Sequence, residues 1–377
     1  MPRIISFHHA LEETTNIKRH LLLGNGFSIA LFPDRFRYGS LLEMADFSDI
    51  PEAKVAFEAL DTTDFEVVVE ALKRSTVLLP LYSTDDAAIT KMARHAEALK
   101  EILVRAIAGR HPDRPSDINE AQYKACRAFL ANFVGESRVI SVGGNTKNLR
   151  ANIYSLNYDL LLYWTLLHDQ VVNWNADDPL NSVFETTEEL EHDDGFRAPD
   201  GDPEAPYVTW DAEGTASDNQ NIHFLHGALH LFDYGAELQK RCWERGGGIP
   251  LIDQIRGALN EGKFPLFVSE GNSAGKLARI RHNGYLQRSL RSFAVVCRVK
   301  GAALFVFGHS LAANDDHIIR RIPKGKIGSL YVSFHGDPEG ESNKALFAKV
   351  KSMVDARGEQ SPLEVAFFDS AAVAVWG

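Results

Sequence analysis

An apolar run near the start of the chain breaks abruptly into a glycine-containing turn, Leu21-Leu22-Leu23-Gly24-Asn25-Gly26-Phe27-Ser28. This pattern predicts a buried parallel strand that turns tightly into a phosphate-binding loop. Glycine is needed there because a backbone without Cβ lets amide N–H groups close on a diphosphate. Ile29 stands where a third glycine or alanine is expected, so the spacing departs from the dehydrogenase fingerprint. A tight turn after a core strand is the alternative interpretation.

Further apolar runs alternate with stretches of helical spacing along the chain. Together with the first run they predict strands near Leu21, Ile153, Ile222, Phe264, Ala302, Leu330 and Val365. Strands that alternate with helices are typical of an α/β fold with a doubly wound, mostly parallel sheet. At 377 residues and 45% apolar content, the chain is long enough to bury a full core, and we expect one domain over residues 1–377.

Two segments depart from this alternation. Residues 40–150 show helical spacing, as at Phe65, Val68 and Val69, and are predicted to form a helical insertion after the first strand. Residues 174–221 are rich in Asp and Glu, with Arg197 as their one cation. We expect an acidic, solvated and partly mobile loop there, and a role in gating a site or contacting a partner is the alternative.

Composition narrows the class of protein. A net charge of −11 disfavours general nucleic-acid binding, which needs clustered Lys and Arg. The chain shows no signal-peptide core and no bilayer-length apolar run, so a cytoplasmic protein without membrane contact is expected. The three cysteines lie far apart and indicate neither a disulfide framework nor a structural zinc site.

Polar residues placed just after the predicted strands are the candidate site residues, because ligands of open parallel sheets bind beyond the carboxyl ends of the strands. Four such motifs occur in chain order: Gly24-Asn25-Gly26-Phe27-Ser28, Asn157-Tyr158-Asp159, Leu225-His226-Gly227 and Gly308-His309-Ser310-Leu311, the last followed by Asn314-Asp315-Asp316. We predict that Gly26, Asn157, His226 and Ser310 line one cleft.

This ordered set resembles the sirtuin-like NAD-binding domain, which has a glycine loop, an Asn-x-Asp turn, a His-Gly with the catalytic histidine and a late Gly-x-Ser-Leu. The glycine loop and the helix start Thr63-Asp64-Phe65-Glu66 look most like a bacterial branch, domain of unknown function family 4917. The loop is also similar to that of AbiH abortive-infection proteins. The resemblance implies a Rossmann-like, sirtuin-like sheet. Zinc-ligand cysteines of deacetylating sirtuins are missing, which disfavours protein deacetylation.

The resemblance also implies roles for individual residues. His226 would be the base, Asn157 would orient water or the ribose, and Asp159 would stabilise the developing cation or hold the loop. NAD would be bound by Gly24, Asn25, Gly26, Phe27, Ser28, Gly308, Ser310 and Asp315. Ser28 and the loop amides would hold the diphosphate, and Ser310 the adenosine side.

Other interpretations of these residues stay open. His223, His226 and His230 could be metal ligands, although a strand interrupted by Gly227 would not point all three at one place, and no metal is expected. Asn157-Tyr158-Asp159 could be a helix cap, and for Asp315-Asp316 capping is preferred over catalysis.

The basic, acid-free stretch 271–314 is expected to carry a positive potential that attracts an anionic dinucleotide or an acidic surface. The cations on which this expectation rests are Lys276, Arg279, Arg281, Arg288, Arg291, Arg298 and Lys300. An ordinary basic helix face paired with acids elsewhere is the alternative.

The expected activity is NAD hydrolysis to nicotinamide and ADP-ribose, which by family resemblance serves anti-phage defence. A sensor that binds NAD or ADP-ribose without cleaving it, and an ADP-ribosyltransferase, are the alternatives. A homo-oligomer or an operon-encoded partner protein is possible on the same grounds.

Overall fold

The computed structural model describes residues 2–142, 144–168, 189–211, 219–243, 245–359 and 361–377. Its helices are α1 (Phe7–Glu13), α2 (Gly26–Leu31), α3 (Pro33–Phe36), α4 (Tyr38–Met44), α5 (Pro51–Ala59), α6 (Phe65–Leu78), α7 (Asp86–Arg110), α8 (Glu120–Val134), α9 (Leu161–Leu166), α10 (Leu251–Asn260), α11 (Ser273–Arg281), α12 (Gly284–Val296), α13 (Asp316–Ile319), α14 (Arg321–Lys324) and α15 (Glu341–Arg357). Among the described residues, no helix combines the length and apolar character needed to cross a membrane.

The strands are β1 (Lys18–Leu23), β2 (Val139–Val142), β3 (Asn145–Asn148), β4 (Ile153–Ser155), β5 (Phe196–Arg197), β6 (Tyr207–Trp210), β7 (Ile222–Phe224), β8 (Leu231–Asp233), β9 (Leu238–Arg241), β10 (Ala302–Phe307), β11 (Ser329–Phe334) and β12 (Glu364–Asp369). Six of them form a central sheet in the order β12-β11-β10-β1-β4-β7, with every pair parallel. This confirms the predicted mixed α/β architecture with a parallel sheet.

The centre of the sheet is buried on both faces. Residues Leu21 to Leu23 of β1 and the whole of β10 are at most 1% exposed. Burial of both faces explains why these strands are continuous apolar runs rather than alternating ones. In register, Lys18 of β1 lies beside Ala302 of β10, and Leu21 lies beside Ile153 of β4. The carboxyl ends of β1, β4 and β10 therefore lie at the same edge of the sheet.

The predicted strand near Phe264 is wrong. Residues 264–268 form no strand: Phe267 makes only an isolated bridge to Gly227, and the backbone of Leu266 bonds to Ala228 and Leu231 instead. The apolar side chains are buried by packing under the loop that follows β7, not by a sheet. A buried loop and a buried strand have similar apolar composition, so the composition of this segment did not distinguish them.

A second, four-stranded antiparallel sheet has the order β5-β6-β9-β8. Two of its strands, β5 and β6, come from the segment 174–221 that was predicted to be an acidic loop. Residues 174–188 and 212–218 of that segment lie outside the described residues. The strand that contains Arg197, β5, pairs with β6, and β6 pairs in turn with β9, so the acidic composition of the segment does not prevent strand formation.

The segment 40–150 is helical from α4 through α8 and then forms the antiparallel hairpin β2–β3. Helix α6 begins as predicted, because the carboxylate of Asp64 accepts a hydrogen bond from the N–H of Glu66 at 2.8 Å. Val68 and Val69 are buried where α6 packs along α7. The insertion thereby places the first turn of α6 next to the carboxyl edge of the central sheet.

Candidate functional site

A cleft of about 1400 Å³ lies at the carboxyl edge of the central sheet. Gly26, Asn157, His226 and Ser310 all line it, as the sequence predicted. The insertion contributes another wall through residues of α4, the start of α6 and α7. The cleft is thus built where loops after β1, β4, β7 and β10 meet the helical insertion.

The loop after β1 touches the loop after β10 through backbone atoms. The N–H of Gly24 donates to Phe307 O at 2.9 Å, and the N–H of Gly26 donates to Gly308 O at 2.8 Å. A Cβ on Gly26 would lie 2.6 Å from Cα of Gly308. These glycines therefore allow the two loops to approach closely. Gly24, Phe27 and Ser28, which were predicted to bind NAD, do not line the cleft.

Asn25 lines the cleft and links two of the segments around it. Its Nδ2 donates a hydrogen bond to Phe36 O at 3.0 Å, which ties the glycine loop to the end of α3.

The residue that follows Phe36, Arg37, is exposed and lines the cleft. Within the described residues the Arg37 guanidinium has no hydrogen bond or ion pair. A cation without a partner therefore stands beside the glycine loop.

Ser28 lies beneath the cleft rather than on its wall, with 0% of its surface exposed. Its hydroxyl donates to Asp159 Oδ2 at 2.5 Å and accepts from Asn157 Nδ2 at 3.0 Å. Asp159 Oδ1 accepts from the N–H of Leu161 at 2.9 Å, at the start of α9. Burial raises the pKa of the Asp159 carboxyl above its ordinary value. Asp159 thus binds the first N–H of α9 from just before the helix, and Ser28 holds the Asn157 amide in place.

His226 meets a second histidine at the inner end of the cleft. Its Nε2 lies 3.1 Å from Nε2 of His317 and 3.7 Å from Oδ1 of Asp315. The ring centroids are 5.2 Å apart and the planes differ by 18°, so the rings meet edge to edge with the two nitrogens between them. Burial lowers the pKa of His226 well below its ordinary value and that of His317 to about 4. Both imidazoles are neutral near pH 7.

A buried group of charges lies next to this pair. Lys276 Nζ is 2.7 Å from Glu66 Oε2 and 2.8 Å from Asp315 Oδ1, and Lys276 is 1% exposed. The other oxygen of Asp315 lies 3.0 Å from Nε2 of His309. Two carboxylates therefore share one ammonium group at the inner end of the cleft.

The pKa values of these groups diverge. Burial raises the pKa of Glu66 to about 7, against the opposing effect of Lys276. Burial acts in the same direction on Asp315, but the hydrogen bond from His309 and the nearby charge of Lys276 hold the pKa of that carboxyl well below its ordinary value. Asp315 is thus the more firmly ionised carboxylate.

Two predictions about this region are wrong. Lys276 was expected to contribute to a positive surface potential, yet it is buried and neutralised by two carboxylates. Capping was preferred for Asp315-Asp316, and a helix does begin there with Asp315 at its N-cap position, yet the Asp315 side chain makes no capping hydrogen bond within the described part of the chain. Asp315 lines the cleft instead, as its assignment to the binding site implied.

The histidines considered as metal ligands do not converge. His223 packs on Tyr154, and His230 packs between Tyr163 and Phe224. Donor atoms of His226, Asp315 and His317 do lie within 4.8 Å of one another, a set that could bind a transition metal. Lys276 already contacts the same Asp315 oxygen, and the two imidazoles contact each other. These contacts engage Asp315 Oδ1 and both Nε2 atoms, whereas Nδ1 of His317 is buried without a hydrogen-bond partner among the described residues.

Sequence reasoning missed much of the site. Glu66, Lys276, His309, His317 and Arg37 line the cleft or contact its lining, but none was assigned a role there. Glu66 lies within the helix start that begins at Thr63, and His309 lies within the last glycine motif. Both motifs were recognised in the sequence, but no role was given to these two side chains. Lys276 and His317 had no motif of their own.

The fold and the site define a mixed α/β protein with a charge-lined cleft at the carboxyl edge of a six-stranded parallel sheet. The chain belongs to the family described as Domain of unknown function (DUF4917), whose model matches residues 21–376. This confirms the family predicted from the glycine loop and the start of α6. A search of curated proteins found no significant match.

Proposed function

We propose that this protein is an NAD glycohydrolase that cleaves NAD to nicotinamide and ADP-ribose. The observation that carries the proposal is that Asn157 and His226, which follow different strands, line one cleft together with Gly26 and Gly308. The cleft is large enough for a dinucleotide, since ligand pockets commonly measure about 300–1,000 Å³.

The topology of the sheet supports a dinucleotide at this position. From β1 the chain proceeds through β4 and β7 towards one edge, and β10, β11 and β12 then extend the sheet in the other direction. The strand order therefore reverses between β1 and β10. In open α/β sheets, dinucleotides bind in the crevice at such a reversal, beyond the carboxyl ends of the strands. Gly26 and Gly308 meet at that point.

The charges along the cleft match those of NAD. Oxidised NAD has a cationic nicotinamide ring and an anionic diphosphate. Glu66 and Asp315, with Lys276 between them, give the inner end a negative balance when both carboxylates are ionised. Cleavage of the bond to nicotinamide builds positive charge on the ribose, which this balance would stabilise. Arg37, beside the glycine loop, is free to bind phosphate.

His226 and Asn157 supply the remaining chemistry. Because burial keeps His226 neutral, its ring has a lone pair that accepts a proton from a ribose hydroxyl or an attacking water. Asn157 is held by Ser28, so its amide orients the ribose or that water without neutralising the developing cation. Asp159 supports this arrangement through Ser28.

On the resemblance to sirtuin-like domains and AbiH proteins, we propose that the reaction serves defence against phage, where loss of NAD would stop the infected cell. The protein would act in the cytoplasm, alone, as a homo-oligomer or with an operon-encoded partner. Protein deacetylation is not proposed, because no zinc-ligand cysteines are present: the cysteines are Cys126, Cys242 and Cys297, all buried and separate.

The test is a nicotinamide-release assay on the purified protein. His226→Ala and Asn157→Ala should each lower turnover by about 10²- to 10⁴-fold, with little effect on nucleotide affinity. His282→Ala, an exposed histidine at the end of α11, is the control and should cleave at the wild-type rate. Wild-type cleavage by His226→Ala would refute the assignment of the base.

The two alternatives predict different outcomes of the same assay. Binding of NAD by titration calorimetry without any nicotinamide release would favour the sensor. Retention of the adenine label of NAD on a protein or nucleic acid would favour ADP-ribosyl transfer.

A further inference from the structure

We propose that His317 is a positioning residue that fixes the tautomer of His226, with the proton on Nε2 and the lone pair on Nδ1. The catalytic meaning of this inference rests on the proposed NAD cleavage, but the tautomer itself does not. His226 lines the cleft and its Nε2 is engaged by His317, so Nδ1 is the ring nitrogen available to a bound ligand.

The contact between the rings requires one proton between two nitrogens. At 3.1 Å, with the rings edge to edge, the two Nε2 atoms have the geometry of an N–H···N hydrogen bond. A neutral imidazole has one N–H and one lone pair. Because burial keeps both rings neutral, one Nε2 donates and the other accepts.

Asp315 decides which ring donates. Its Oδ1 lies 3.7 Å from Nε2 of His226. A lone pair on that nitrogen would face a carboxylate that stays ionised, whereas an N–H there is stabilised by it. His226 is therefore the donor, and His317 accepts at Nε2 and keeps its proton on Nδ1.

The arrangement prepares His226 for proton transfer. When Nδ1 takes a proton from a ribose hydroxyl or water, the imidazole becomes an imidazolium, and its Nε2–H bond to His317 strengthens because the donor is now charged. The nearby Asp315 carboxylate stabilises the same positive charge. The proton moves from the substrate oxygen to Nδ1, and no other bond at His226 changes.

A direct test is the ¹⁵N spectrum of the histidine side chains in the full-length protein, with His226 assigned from His226→Gln. The expected wild-type result is a neutral His226 with the proton on Nε2. In His317→Leu, where the acceptor is lost, the fraction of the Nε2–H form should fall and its Nε2–H proton should lose the chemical shift of a hydrogen-bonded N–H. A wild-type His226 with the proton on Nδ1, or a His226 side-chain signal unchanged in His317→Leu, would overturn the proposal.

Kinetics separate positioning from a merely structural role. His317→Leu should lower the turnover of NAD cleavage by about 10²- to 10⁴-fold with a nearly unchanged Michaelis constant, since a wrong tautomer costs about 10⁴-fold in catalytic triads. His317→Gln retains an acceptor near the same position and should recover most of that loss. His230→Leu is the matched control and should cleave at nearly the wild-type rate, because His230 is a buried histidine that packs against Tyr163 and Phe224 and does not line the cleft.

Equal losses in His317→Leu, His317→Gln and His230→Leu would overturn the positioning role and indicate general disruption of the fold. If the wild type cleaves no NAD, the proposed function fails and the ¹⁵N spectrum alone decides whether His317 fixes the tautomer. If His317→Leu does not fold, the tautomers of His226 in the wild type and in His317→Gln still decide the question.

Discussion

Oε2 of Glu66 lies 2.7 Å from Nζ of Lys276, and both residues are at most 5% exposed. This ion pair joins the first turn of α6, in the helical insertion, to α11. Asn314 also donates to the same Glu66 oxygen at 2.7 Å. The inner end of the cleft therefore depends on a contact between two segments that are far apart in the chain.

Lys276→Met should destabilise the protein by about 3–5 kcal/mol, because it leaves Glu66 and Asp315 buried without their shared cation. The measurement is urea unfolding near neutral pH. Lys344→Met is the control, since Lys344 is half exposed and pairs with an exposed Glu339. It should change stability by about 0.5 kcal/mol or less. Similar small effects of both substitutions would show that the buried pair adds little.

Gly308→Ala should destabilise the protein more than Gly336→Ala. Both glycines have left-handed backbone angles, with φ of +69° and +71°, so an added Cβ costs each about 1–2 kcal/mol. A Cβ on Gly308 would also lie 2.6 Å from the backbone nitrogen of Phe27, whereas one on Gly336 meets nothing within 4 Å. Thermal unfolding of both variants gives the comparison. Equal losses would contradict the close contact between the loops.

Arg37→Ala should weaken binding of ADP-ribose by about 10- to 100-fold, as loss of a charge-assisted hydrogen bond costs about 1.5–3 kcal/mol. Adenosine, which has no phosphate, should bind both proteins alike. Titration calorimetry measures both. Arg35→Ala is the control, because Arg35 bonds to the carbonyl of Arg110 and does not line the cleft. An unchanged affinity of Arg37→Ala for ADP-ribose would exclude this role.

The protein should lose stability steeply below pH 6.5. Burial lowers the pKa of His20, His111, His223 and His230 to about 3 and that of His317 to about 4. These groups bind protons more readily when unfolded, so their contribution is full above about 6.5 and falls as the pH drops towards 4. As the pH falls through this range, each of these histidines lowers the free energy of unfolding by up to about 1.4 kcal/mol per pH unit.

His230→Leu tests this pH dependence. Among the residues that the structure describes, both ring nitrogens of His230 are buried without a hydrogen-bond partner, and the ring packs against Tyr163 and Phe224. The substitution should keep stability near neutral pH and reduce the slope between pH 6.5 and 4 by about one proton. Urea unfolding at several pH values gives the slope. A slope identical to the wild type would show that His230 is not buried as a neutral ring.

Glu66 affects the pH dependence of stability in the opposite direction, since its raised pKa favours the folded state at lower pH.

Local features of the sequence were sufficient for the central sheet and for the floor of the cleft. The apolar runs at Leu21 and Ala302 predicted buried strands, and the polar turns at Asn157 and His226 predicted residues of one edge. These predictions succeed because the carboxyl ends of parallel strands meet by geometry, however far apart they lie in the chain.

The remaining features depend on tertiary packing. Lys276 has the composition of a surface helix residue, and only its position beneath Glu66 and Asp315 makes it a buried cation. Residues 264–268 are apolar because they are buried under a loop, which periodicity does not distinguish from a strand. The strand β5 spans only Phe196–Arg197, too short for an alternating pattern to be read.

The position of β1 in the sheet has a consequence for synthesis on the ribosome. β1 is translated early, but its neighbour β10 pairs Ala302 with Lys18 and follows only after most of the chain has been made. At about 5–20 residues per second, that interval lasts roughly tens of seconds. Until then the glycine loop lacks the Gly308 carbonyl that fixes it. A nascent chain therefore has no complete cleft, and a translation product that stops before β10 would be inert towards any ligand of the cleft.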